Sequence, residues 1–218
     1  MAKKRKFAMV LAGCGVYDGS EIHEATMTLH AIVKNGGEYE IFAPDIQQHH
    51  VINHVTGEEM KEIRNVLVES ARIARGNIKK LDDFRPDDFD ALIFPGGFGV
   101  AKNLSKFAFD GPDCSVDAGV ERVIKAMVKS GKPIGALCIA PAVMAKILDE
   151  PVLTIGQDEG TAQALEKMGA IHKKTGHGET IVDPRYRLVT TPCYMLDADI
   201  VQIGEGADAV VKEILKLL

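Results

Sequence analysis

No stretch of this chain has the length of a membrane span, and the early apolar run Phe7–Ala12 is too short for a secretory signal. Cysteine is sparse, with four residues at positions 14, 114, 138 and 193. None forms a CxxC pair, and no spacing suggests a zinc site, so reduced thiols in a cytoplasmic protein are expected. A basic surface is also missing. The net charge is −5, and the only basic run, Lys3-Lys4-Arg5-Lys6, reads as a solvated terminus, so a nucleic-acid partner is not expected. GxGxxG, a Walker loop and HExxH are all absent. So are internal repeats, low-complexity tracts and interdomain linkers.

What is present is an ordinary globular balance, 46% hydrophobic and 26% charged over 218 residues, which fits one domain. Apolar runs alternate with helical patterns. Strands are predicted at Phe7–Ala12, Glu38–Ala43, Ala91–Phe94, Pro133–Leu137 and Leu188–Thr191, with shorter ones near Val152–Ile155, Ala170–Lys173 and Thr180–Val182. Helices are predicted at Ser20–Asn35 with Ser20 as N-cap, at Asp117–Ser130 and Ala140–Leu148, and over about Ala207–Leu217. This alternation predicts an α/β fold with a mostly parallel sheet covered on both faces. Two stretches look inserted. Gln47–Arg85 carries a helical pattern from about Glu58 to Gly76, and Ala101–Asp117 reads as a long loop. The first is expected to pack beside the core and help form a dimer.

The segment Pro133–Pro141, Pro-Ile-Gly-Ala-Leu-Cys-Ile-Ala-Pro, carries most of the chemistry. A buried strand ends at Cys138 and a helix follows, so the thiol sits on a sharp turn at the carboxyl edge of the sheet. A nearby helix N-terminus would favour a thiolate there. A buried structural cysteine fits the same letters. Pro95-Gly96-Gly97-Phe98-Gly99 follows another strand and can present N–H groups into a cavity. If Cys138 is a nucleophile, N–H donors of Gly97 and Ile139, with Gly96 beside them, would form an oxyanion hole; a plain strand-to-loop turn is the other reading. In Gly19-Ser20-Glu21-Ile22-His23-Glu24, Glu21 is accounted for by the helix dipole. Glu24, one turn further in, would face the thiol as a proton carrier. Cys14 is expected at a strand end near the site, while Cys114 and Cys193 read as structural. His49, His50 and His54 invite a metal reading, but loop or interface histidines fit better. His23 and His177 read as surface residues.

The strand-elbow cysteine, the Pro-Gly-Gly-Phe-Gly loop and the Gly-Ser-Glu-x-x-Glu helix start occur in the order found in the PfpI branch of class I glutamine amidotransferase-like proteins. Ala-Leu-Cys-Ile-Ala-Pro-Ala and Gly-Gln-Asp-Glu-Gly-Thr resemble its isoprenoid-associated members. The resemblance covers nearly the whole chain and implies a flavodoxin-like three-layer sandwich and a homodimer. It also implies a cofactor-independent, metal-free glyoxalase that converts glyoxal-like dicarbonyls to hydroxy acids, with Cys138 as nucleophile and Glu24 as its partner. Protein deglycase activity, or a redox-responsive role for the same thiol, are the alternatives. Protease-like members carry His after the nucleophile, where this chain has Ile139. His177-Gly178-Glu179 fits the letters of a glutaminase His-x-Glu pair, but its glycine-rich setting does not match, so neither activity is expected.

Overall fold

A computed structural model describes residues 4–218; Lys3 of the basic run lies outside the described residues. In chain order the elements are β1 (Lys6–Val10), α1 (Ile22–Lys34), β2 (Glu38–Ala43), α2 (Val66–Ile73), β3 (Lys79–Lys80) and β4 (Ala91–Phe94). They continue with α3 (Phe107–Asp110), α4 (Ala118–Lys129), β5 (Ile134–Leu137), α5 (Pro141–Ile147), β6 (Val152–Leu153) and α6 (Glu159–Lys167). The chain ends with β7 (Ile171–His172), β8 (Ile181–Asp183), β9 (Leu188–Thr191) and α7 (Ile200–Leu217). Seven strands form one sheet in the order β3-β2-β1-β4-β5-β9-β8, and β6 and β7 form a separate parallel pair. All pairings in the large sheet are parallel except β8 with β9.

The pleat explains why the central strands read as unbroken apolar runs. Alternate residues Ala8, Val10, Leu92, Phe94, Ile134 and Ala136 join one core with α4, α5 and α6. Phe7, Met9, Ala91, Ile93 and Val189 join a second core with α1 and α7. With both faces buried there is no polar alternation to see. Each fully buried large aliphatic side chain contributes about 1.5–3 kcal/mol, so these two layers hold the sheet. Chain order reverses direction between β1 and β4, which makes a crevice at their carboxyl ends.

Three expectations are corrected. The inserted stretch is helical only over Val66–Ile73, not from Glu58. Upstream, the backbone folds on itself through bridges Ile52↔Glu59 and Gln47↔Asn65, and the Asn65 side chain caps α2 by accepting from the Val68 N–H at 3.0 Å. Ala101–Asp117 is largely wound, with a π-helical turn over Val100–Leu104 and then α3. Finally, α7 starts at Ile200, where Asp199 and Gln202 form a capping box.

Candidate active site

The elbow after β5 brings the thiol to the crevice. Cys138 has φ +58°, a left-handed conformation costing roughly 1–2 kcal/mol for a residue with a Cβ. Neighbouring bonds hold it there. Its N–H donates to the Thr191 carbonyl at 2.9 Å, the Ala140 N–H closes the turn onto the Leu137 carbonyl at 2.9 Å, and Pro141 starts α5. Such strain is tolerated where the surroundings over-determine it.

Glu24 projects from the first turn of α1 and is fully buried. Its Oε2 accepts from the Gly96 N–H at 2.8 Å and its Oε1 from the Tyr194 N–H at 3.3 Å. Gly96 explains why this carboxyl and the Cys138 thiol meet. A Cβ on Gly96 would lie 2.7 Å from Glu24 Oε2, 2.9 Å from Cys138 Sγ and 2.4 Å from Cys138 Cβ. The carboxyl and thiol therefore lie close together against Gly96, in the space a side chain would fill. N–H groups of Gly97 and Ile139 also reach the sulfur. Gly97 sits at φ +98°, and a Cβ there would strike Gly19 and the Glu21 backbone.

The electrostatics differ from the sequence expectation. Burial, followed by the negative charge of Glu24, pushes the Cys138 thiol well above its ordinary value, outweighing the two N–H donors. Burial and the Glu24 charge thus oppose the thiolate that a helix N-terminus was expected to favour. Burial and then the charge of Glu21 raise Glu24 to about 7. The pair thus holds a carboxyl near neutrality beside a thiol whose proton it can accept.

Gly96 is also corrected. Its N–H is spent on Glu24 and its carbonyl accepts from the Glu21 N–H at 2.9 Å, so it positions the carboxyl and offers no donor to a ligand. Ser20 is not the N-cap of α1: its hydroxyl accepts from the Ala12 N–H at 2.8 Å, and Glu21 caps the helix by accepting from the Glu24 N–H at 2.7 Å. Glu21, 7% exposed, lines the cavity and so does more than complement a dipole. Its three-residue spacing from Glu24 was the available signal. Nothing local pointed to Tyr194, whose hydroxyl lies 2.8 Å from His23 Nδ1, or to Asn103. The buried Asn103 amide donates to the carbonyls of Ala12 and Asp18, both at 2.9 Å, and accepts from the His49 N–H, tying both inserted stretches to the loop after β1.

The histidines have other partners. His54 accepts from the Tyr17 N–H at 3.2 Å, while His49 and His50 pack on Phe109. Among the described residues, no group of three or more His, Cys, Asp or Glu could hold a metal ion. His177 is exposed on its turn, away from the cavity wall. Cys14 is half-buried beside Glu69 and Arg72, and Cys114 is buried. Cys193, read as structural, is buried, and the negative charge of Glu24 raises its thiol further after burial. All four cysteines are free.

A cavity of about 370 Å³ opens over Cys138, Gly97 and Ile139. Tyr194, Phe98 and Phe107 stand in its walls, and Asp158 and Thr161 reach it from the start of α6. No helix among the described residues is long and apolar enough to cross a membrane.

A model of the DJ-1/PfpI family matches residues 14–154. The chain is 48% identical over 224 residues to the rat (Rattus norvegicus) ES1 protein homolog, mitochondrial, covering 98% of this chain and 84% of that one. The crystal structure of an isoprenoid biosynthesis protein with an amidotransferase-like domain from Ehrlichia chaffeensis superposes with a TM-score of 0.91 at 33% identity, covering 98% of this chain and 99% of the other. Glyoxalase III from Candida albicans shares the fold, with a TM-score of 0.62 at 16% identity over 98% and 97% of the two chains. The family match spans well over half of the chain and covers the elbow cysteine, its glutamate and the glycine loop, so this chain belongs to the DJ-1/PfpI family.

Proposed function

We propose that the protein is a cofactor-independent glyoxalase that converts glyoxal-like dicarbonyls to hydroxy acids, similar to the enhancing-lycopene-biosynthesis protein ElbB. The observation that carries this reading is the buried thiol–carboxyl pair beside Gly96, with Cys138 opening onto a cavity. The glyoxalase name of the Candida relative and the isoprenoid name of the Ehrlichia relative agree with it.

The chemistry follows from the pair. Glu24 as carboxylate takes the S–H proton while sulfur adds to an aldehyde carbon, and the N–H groups of Gly97 and Ile139 take the new oxygen anion. The proton returns from Glu24 to that oxygen, leaving a neutral hemithioacetal. Glu24 next removes the proton on the attacked carbon, giving an enediolate. The hydroxyl proton of that carbon passes to the former carbonyl oxygen of its neighbour, and Glu24 delivers its own proton to the neighbouring carbon as the thioester carbonyl forms. One carbon is oxidised and the other reduced, with no external electron carrier. The resulting thioester is hydrolysed by water, releasing the hydroxy acid and the thiol. No step calls on a metal.

Turnover of glyoxal by chelator-treated protein, absent in Cys138→Ala, tests the reading. Loss on chelation with recovery on adding a stoichiometric metal would overturn it. A redox-responsive role would use the same Cys138 thiol, oxidised reversibly to the sulfenic acid. Deglycase activity would share the first addition step. We also propose a homodimer, supported by Val55, Ile63 and Val68, which are 95%, 82% and 61% exposed on the first inserted stretch. The cytoplasm remains the proposed setting, although the rat relative's name is mitochondrial; four free cysteines call for a reducing compartment.

A further inference from the structure

Glyoxal would leave most of the cavity empty. Its volume, about 370 Å³, is on the order of ten times the share of one water molecule in the liquid. It falls within the range of pockets that enclose whole small molecules. Away from the sulfur the walls are apolar, formed by Val16, Phe98, Ala101, Phe107 and Met195. Aromatic and thioether surfaces of this kind gain by covering a flat apolar group. The charged groups in the wall are both acids, Glu21 and Asp158; among the described residues no Lys, Arg or His lines the cavity. Lys102 is turned aside, its ammonium donating to the Tyr17 carbonyl at 2.8 Å. Asp158 is exposed, and it is fixed in place as the N-cap of α6, accepting from the Thr161 N–H at 2.7 Å.

Resting on the glyoxalase reading, we infer that the substrate is an α-oxoaldehyde whose ketone carbon carries an uncharged, apolar group of about ring size, and that Glu21 and Asp158 exclude anionic analogues. The overall reaction is R–CO–CHO plus water giving R–CHOH–COOH. The aldehyde carbon is oxidised, the ketone carbon is reduced, and the group R is unchanged. An anionic R would approach both carboxylates in the cavity, and near a protein surface like charges repel more strongly than in bulk water.

The test compares glyoxal, phenylglyoxal and 4-carboxyphenylglyoxal with the intact protein. Expected kcat/KM is at least about tenfold higher for phenylglyoxal than for glyoxal, from the apolar area the ring buries. The carboxylated ring, of similar reactivity but charged, should fall about tenfold below phenylglyoxal. Asp158→Asn keeps the helix cap. It should narrow that last ratio by a few-fold. Glyoxal turnover with phenylglyoxal no better, or the two aryl substrates equal, overturns the inference and leaves the glyoxalase reading standing. Absence of turnover with all three overturns the glyoxalase reading. Calorimetry then judges the pocket separately: acetophenone binding without benzoate binding supports it, and equal binding, or none, overturns it.

Discussion

The elbow after β5 and the stretch between Ile46 and Asn65 are both irregular backbone, yet they are held in opposite ways. At the elbow both carboxyl oxygens of Glu24 accept backbone N–H bonds, the carboxyl is fully buried, and Gly96, lacking a Cβ, leaves room for the carboxyl and the thiol. The inserted stretch is held by two isolated bridges, turn hydrogen bonds and the side chains of Asn103 and Asp18, and it turns Val55 and Ile63 to solvent. Buried polar groups with all partners in place have little freedom to move, which suits proton transfer over short distances. Apolar groups turned to solvent suit association.

The largest break in this contrast is Cys138→Ala, which should abolish dicarbonyl turnover in a hydroxy-acid assay while Cys14→Ala, at the neighbouring strand end, stays near wild type. Gly96→Ala comes next. Its methyl would sit 2.4 Å from Cys138 Cβ, a backbone-anchored atom that cannot swing away. Turnover should fall by orders of magnitude, and overpacking should cost about 1–3 kcal/mol in denaturant unfolding.

Glu24→Gln should lower kcat at least about a hundredfold, since the amide cannot carry the proton. It also has a signature in stability. Glu24 is raised from 4.5 to about 7 in the fold, so the folded state holds its proton longer than the unfolded chain does. Stability from this group is complete below pH 4.5 and is lost as pH rises to about 7, in total on the order of 3 kcal/mol. Denaturant midpoints across that window should fall in the wild type and stay flat in Glu24→Gln; equal slopes would contradict the burial of a proton at this site.

Glu21→Gln gives a subtler change. Removing that charge lowers the Glu24 value, so the acid limb of the kcat/KM profile should move to lower pH, a few-fold gain in relative rate below pH 7. The smallest effect on catalysis is expected from Ile63→Ser combined with Val68→Ser: sedimentation should shift from dimer to monomer while turnover persists. A monomeric wild-type protein at micromolar concentration would remove the role assigned to this stretch.

Much of this was legible beforehand, for identifiable reasons. β2, β4 and β9 end where their sequence patterns end, because Pro44, Pro95 and Pro192 stop them. Cys138 and Glu24 were readable because an elbow and a helix start each have local letters. The upward push on the thiol was not, since it depends on burial and on the nearby Glu24 charge, both of which need the folded chain. Asp158 and Thr161 reach the cavity only through the packing of α6, which no local pattern encodes. The Glu58–Gly76 helix failed because bridges to Gln47 and Ile52 compete for the same backbone.

The two acids in the cavity wall bear on how the reaction ends. Under the proposed chemistry an uncharged dicarbonyl enters and a carboxylate is left beside Glu21 and Asp158. The like charges that turn away anionic analogues then push the product out. Product inhibition by the hydroxy acid should be weak.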